Sequence, residues 1–120
     1  MDAEGIRELF EPSGPIQIRR MFGAHGIYRD SRIIALEDEG MIWLKADIIS
    51  SPAFEAAGSR PFTYEKKTGG VTVMGYWLLP EAAHDDPDIM RHWVRLAEQA
   101  ASRAAKPKPK SAKPKRDGKA

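Results

Sequence analysis

Three arginines, a histidine and a tyrosine fall within one dozen residues, "RRMFGAHGIYRD" at 19–30. These side chains are the ones that hold anions or move protons. One candidate is therefore a small-ligand or enzymatic site built around Arg20, His25 and Tyr28. Catalysis there would need a Ser or Thr presented to His25, and spacing alone supplies no such geometry. Gly23 and Gly26 flank the histidine, but the stretch carries neither G-x-G-x-x-G nor G-x-x-x-x-G-K-[ST], and no helix opens after it. The simpler expectation is that the two glycines permit a bulge or sharp bend between strands. Arg19 and Arg20 then either meet an anionic partner or guard an edge strand in water. No residue is assigned a catalytic role.

The other chemistry-bearing residues point to plain structural jobs. His25, His84 and His92 are the only histidines, and none pairs with another at helical i, i+4 spacing. There is no cysteine, which excludes disulfides, thiolate metal sites and a cysteine nucleophile. "HDDPD" gathers Asp85, Asp86 and Asp88 and fits a helix cap better than a calcium loop. His92 is expected at a surface or boundary beside Trp93. No metal or cofactor is expected.

Charge divides the chain. The 120 residues carry a net charge of +2. Seven cations lie in "AAKPKPKSAKPKRDGKA" from Ala104 onward: Lys106, Lys108, Lys110, Lys113, Lys115, Arg116 and Lys119. Residues 1–103 keep 12 basic and 16 acidic residues, a net of −4. Two regions follow: a folded body, 1–103, and a tail, 104–120, of Lys, Pro and Ala. Such a tail cannot bury enough apolar surface to fold and is expected to be disordered. It would attract DNA or RNA weakly and without sequence preference, or serve only as a solubiliser. No apolar run approaches the roughly 20 residues that span a bilayer, and "MDAEGIRELF" is too acidic for a secretory leader. A cytoplasmic protein with no membrane partner is expected.

Elements must position these residues. Ile6, Leu9 and Phe10 share one helical face, with Asp2 as the cap and "EPSGP" as the stop. "IQIRRMF", "GIYR", "RIIALE" and "MIWLKA" read as β-rich runs joined by the turns "DS" and "DEG". Ser51-Pro52 opens a short helix that Gly58 closes. "PFTYEKK" and "VTVMGYWLLP", joined by "TGG", read as a hairpin. The last helix starts at an Asp86 cap, with Pro87 and Asp88 in its first turn. Ile89, Trp93, Leu96 and Ala100 form its expected buried stripe, while Arg91, Arg95 and Glu98 face water. The order α-β-β-β-α-β-β-α predicts a two-layer α+β domain, an antiparallel sheet of about five strands with helices packed on it.

A sheet covered on one side should alternate apolar and polar residues, yet "MIWLK" and "VTVMGYWLL" are apolar at both parities. Either the helices wrap more than one face, or another chain covers the second face, as in a homodimer. Lys45, ending such a strand, is expected to reach water along its stem.

Several segments together resemble one known family. "RRMFGAHGIYRD", followed by "IWLKAD", "FEAAGSRPFTYE", "MGYWLLPE" and "DDPDIMRHWVRLAEQA", is similar to the N-terminal domain of the TfoX/Sxy family across roughly Ile6 to Ala101. Its signature falls here on Met21, Phe22, Gly23, Gly26, Ile27 and Tyr28, with Ala24 where many members carry a further glycine. The resemblance implies a two-layer α+β fold and a link to the regulation of DNA uptake. Full-length relatives act with the cyclic-AMP receptor protein as coactivators of competence genes, and carry a second, helical domain; here the basic tail takes that place. The expectation is thus a non-enzymatic, regulator-like interaction domain. It would contact a protein partner, such as a transcription regulator, through its sheet or through the signature residues Arg19, Arg20, Met21, Phe22, Gly23, His25, Gly26 and Tyr28. A structural homodimer with a solubilising tail is the third reading.

Overall fold

The computed structural model describes residues 1–21, 23–65 and 71–105, with the side chains of 64, 65 and 71–74 excepted. Phe22, the "TGG" turn and the tail cations from Lys106 onward lie outside the described residues.

Helix α1 spans Ala3–Phe10, and Asp2 caps it as expected, its Oδ1 accepting the Gly5 N–H at 2.9 Å. Strands β1 (Gln17–Met21), β2 (Ala24–Arg29), β3 (Arg32–Asp38) and β4 (Met41–Lys45) follow. They are antiparallel neighbours in chain order. Helix α2 (Ser51–Ala56), strands β5 (Pro61–Glu65) and β6 (Val71–Leu78) and helix α3 (Pro87–Ala105) complete the order. The sheet runs β1-β2-β3-β4-β6-β5.

There are six strands where about five were expected, because "IQIRRMFGAHGIYR" folds on itself. Met21 faces Ala24, and Gly23, at φ +81°, lies in the short connection between them. Two further connections are equally tight. Asp30 and Ser31 (φ 51° and 68°) join β2 to β3, and Glu39 and Gly40 (φ 52° and 81°) join β3 to β4. Positive φ at both central residues gives the turn a twist that matches the strands.

Helix α3 also differs in detail. Asp86 Oδ1 accepts the N–H groups of Asp88 and Ile89 at 2.9 and 3.2 Å, which gives "HDDPD" its capping role. The buried face is Met90, Trp93, Val94, Ala97, Ala100 and Ala101, with Ile89 and Leu96 at its margins. The alanines let the helix lie close to the sheet, so the stripe is centred nearer Val94 and Ala97 than expected. Glu98 is partly exposed, as expected of that face, and also pairs with Arg29 of β2. The helix runs to Ala105, two residues past the expected end of the body.

All three helices pack on one face of the sheet. Ile6 and Phe10 of α1, Phe54 of α2 and the inner face of α3 join Ile27, Ala35, Ile42 and Leu44 in one core. The Phe54 ring lies 4.7 Å from Trp93 and 6.1 Å from Trp77. Cross-strand partners share a face. Following the register from Leu44 and Trp77 therefore places Trp43, Lys45, Tyr76 and Leu78 on the opposite side. The helices do not wrap both faces; among the described residues no helix lies on the second one.

Candidate functional site

The hairpin β1–β2 divides the expected site residues between the two faces. Ile18 pairs with Ile27 and Arg20 with His25, on the helix side. Gln17 pairs with Tyr28, Arg19 with Gly26 and Met21 with Ala24, on the open side. Arg20 and His25 are therefore brought together, but Tyr28 is not with them. The three-residue site of Arg20, His25 and Tyr28 is not assembled, because strand pleating sends residues of opposite parity to opposite faces.

The open side explains the second glycine. Gly26 lies inside β2, opposite Arg19, and the β2–β3 register shifts just after it, between Ile27 and Tyr28. A Cβ there would stand 2.9 Å from the Tyr28 ring and 3.2 Å from the Met21 methyl. Gly26 is thus a gap into which Met21 and Tyr28 lean, whereas of the two glycines it is Gly23 that lies in the turn. The Arg19 guanidinium sits 4.8 Å above the Tyr28 ring. Along the same face Lys45 Nζ lies 5.2 Å above Tyr76, and Arg60 lies 5.5 Å above Trp43, whose ring also meets Phe62 edge-on at 4.8 Å. Each cation rests on an aromatic face, a favourable electrostatic arrangement. Lys45 does not simply extend to water. Burial pushes the Tyr76 hydroxyl pKa up, and the proximity of Tyr28 adds to it. Ile33, Leu36, Met41 and Leu78 lie half-buried between these rings, an apolar surface with a cationic fringe.

The helix side carries a polar cluster that spacing did not reveal. Glu37, 4% exposed, accepts a 2.7 Å hydrogen bond from His25 Nδ1 and a 2.8 Å bond from the Gly40 N–H. The N-terminal ammonium lies 3.4 Å away. Burial alone would raise the Glu37 pKa. The bonds from His25 and Gly40 and the nearby ammonium outweigh it and hold the carboxyl below its ordinary value. An ionised Glu37 fixes His25 with Nδ1 as donor, leaving Nε2 for another group. His25, Arg20 and Ile18 line an open cleft with Met1, Asp2, Ala3 and Arg7 of the α1 end. Glu37 and Arg7 were missed in the sequence. Glu37 reads there only as the last residue of the strand run "RIIALE", and Arg7 reaches the hairpin only through the packing of α1.

A second missed feature is the loop after β4. Asp47 Oδ1 accepts the Ile49 and Ser50 N–H groups at 3.1 and 3.0 Å, and the Ser50 hydroxyl accepts the Asp47 N–H at 3.0 Å. Arg103 of α3 grips the same carboxylate at 2.6 and 2.9 Å. That guanidinium lowers the Asp47 pKa to about 2, against an opposing push from burial. The loop thus held presents Ile48 and Ile49 to solvent, 88% and 65% exposed. Among the described residues, no group of three metal-ligating side chains gathers, and no helix is long and apolar enough to cross a membrane.

Comparison with known proteins bears on the signature and the fold together. No curated protein matches the chain. The family model described as the TfoX N-terminal domain matches residues 8–101, from within α1 to the last turns of α3. That span holds the β1–β2 hairpin with its Met21–Gly26–Tyr28 contact, the whole six-stranded sheet and the core. The chain belongs to the TfoX N-terminal domain family.

Proposed function

We propose that this protein is a non-enzymatic, regulator-like interaction domain of the cytoplasm. It docks a protein partner, a transcription regulator, on the open face of its sheet. The basic tail adds weak, sequence-independent affinity for nucleic acid. One observation carries the reading: all three helices pack on one face, while the other bears Ile33, Leu36, Met41 and Leu78 among cation-capped rings. Half-exposed apolar side chains gathered on one face and rimmed by charge are a mark of a protein contact surface. Membership of a family not known for enzymatic activity agrees with it. The His25 cleft also offers a base without a hydroxyl or thiol nucleophile among its lining residues.

The test is affinity capture from the native cell with the wild-type chain and with Leu36→Glu. The proposal expects a partner retained by the wild type and lost by Leu36→Glu, with the circular dichroism of the two unchanged. Equal capture by both removes the open face from the interface. Sedimentation equilibrium separates the homodimer reading: a wild-type dimer that Leu36→Glu turns into a monomer means the face is covered by a second copy. Deleting 106–120, which spares the end of α3, is expected to abolish salt-sensitive DNA binding. Binding that survives the deletion would place nucleic-acid affinity in the body.

A further inference from the structure

The geometry points to a binding site for a small organic phosphate in the cleft between α1 and the helix-side edge of the β1–β2 hairpin. The cleft is open to solvent and offers about 560 Å³, room enough for a small ligand. Two arginines from different elements line it, Arg7 from the middle of α1 and Arg20 from β1. Neither has an ion-pair partner among the described residues, whereas Arg29, Arg91 and Arg103 all do. The third polar group is His25, which sits across the strand pair from Arg20.

His25 is what makes this a built site rather than two surface charges. Its Nδ1 is committed to the buried Glu37, so the ring is oriented and only Nε2 remains to meet a ligand. Nε2 accepts from a protonated phosphate oxygen when the ring is neutral and donates to a bare one when it is charged. Planar guanidinium forks match phosphate oxygens in pairs, which a point charge does not. The charge balance favours an anion. Among the residues that line the cleft, Arg7 and Arg20 stand against one carboxylate, Asp2, which caps α1. Ile18 and Ala3 supply an apolar wall for the carbon skeleton of the ligand. The site is separate from the open face, since the pleat puts Arg20 and His25 on the side away from Arg19 and Tyr28.

The experiment is a titration of the full 120-residue chain, followed residue by residue in two-dimensional NMR. Phenyl phosphate is the probe and benzyl alcohol the neutral control. Saturable shifts centred on Arg20, His25 and Arg7 are expected with phenyl phosphate and none with benzyl alcohol. Arg20→Gln and Arg7→Gln are each expected to weaken binding about tenfold, the scale of one charge-assisted contact. Arg95→Gln, the same charge change on the exposed side of α3, is expected to leave it unaltered. The inference is overturned if shifts fail to saturate or are confined to tail resonances. It is equally overturned if Arg20→Gln and Arg7→Gln each weaken binding less than threefold, or if benzyl alcohol gives the same response. Because neither arginine is buried, both variants are expected to fold, and unchanged chemical shifts in α3 verify it.

Discussion

The two faces of this sheet are built from similar residues and do different work. On the helix side, Ile27, Ala35, Ile42 and Leu44 are sealed by α1, α2 and α3. On the open side, Trp43 is just as apolar but is covered by Phe62 of β5, two strands away, and by Arg60 just before that strand. Burial on the first face comes from distant elements and holds the fold together. Burial on the second comes from neighbouring side chains of the sheet itself, an edge-on ring pair and cations over ring faces, and it leaves Ile33, Leu36, Met41 and Leu78 half-exposed. The difference teaches that apolar content at both strand parities marks two layers of cover. Only one of them is supplied by the helices.

The sharpest way to break this comparison is one substitution made on each face. Leu44→Ala leaves a cavity in the sealed core and is expected to cost about 2–5 kcal/mol in urea unfolding. Leu36→Ala, beside it on the other face, is expected to cost about 1 kcal/mol or less. Equal losses would mean that the open face is as much a core as the other.

Next in size is the gap at Gly26. Gly26→Ala forces a methyl against the Tyr28 ring and the Met21 methyl, an overpacking expected to cost about 1–3 kcal/mol. Met21→Ala in the same chain should recover part of that loss by thermal denaturation. No recovery would show that the contact is not the cause.

The smaller effects are electrostatic. Asp47 is held well below its ordinary value, so the folded state favours the ionised form. Its contribution is present above about pH 4 and is lost as pH falls toward about 2, where the folded carboxyl takes up a proton. Glu37 is depressed too and acts with the same sign. Asp47→Asn is expected to flatten the acid limb of the stability profile, with a loss on the order of 1 kcal/mol at neutral pH for this partly exposed pair. An unchanged acid limb would contradict the Arg103 clamp. Smallest of all, Arg91→Ala removes an exposed pair with Asp88 on α3 and should shift stability by about 0.5 kcal/mol or less.

Much of the fold was legible because its signals are local. Asp2 and Asp86 cap helices, Gly58 at φ +80° closes α2, and the short turns carry Asp, Ser, Glu and Gly where positive φ is needed. The runs "IQIRRMF" and "GIYR" were both legible, but the expected order counted one strand too few across them, with a bend where the structure has a hairpin. The site was only partly legible. Arg20 and His25 were found as neighbours, but Tyr28 was grouped with them because nearness in sequence hides strand parity. Glu37 and Arg7 carry no sequence signal, since only α1 packing and the β2–β3 register bring them to His25.

The central claim is that the open face, and not the helix side, is where a partner sits. Site-specific photo-cross-linking in the native cell tests it most directly, with the reactive group placed at position 36 on the open face or at position 95 on the exposed side of α3. The account predicts a discrete protein adduct at 36 and none at 95. An adduct at 95 with none at 36 would contradict it.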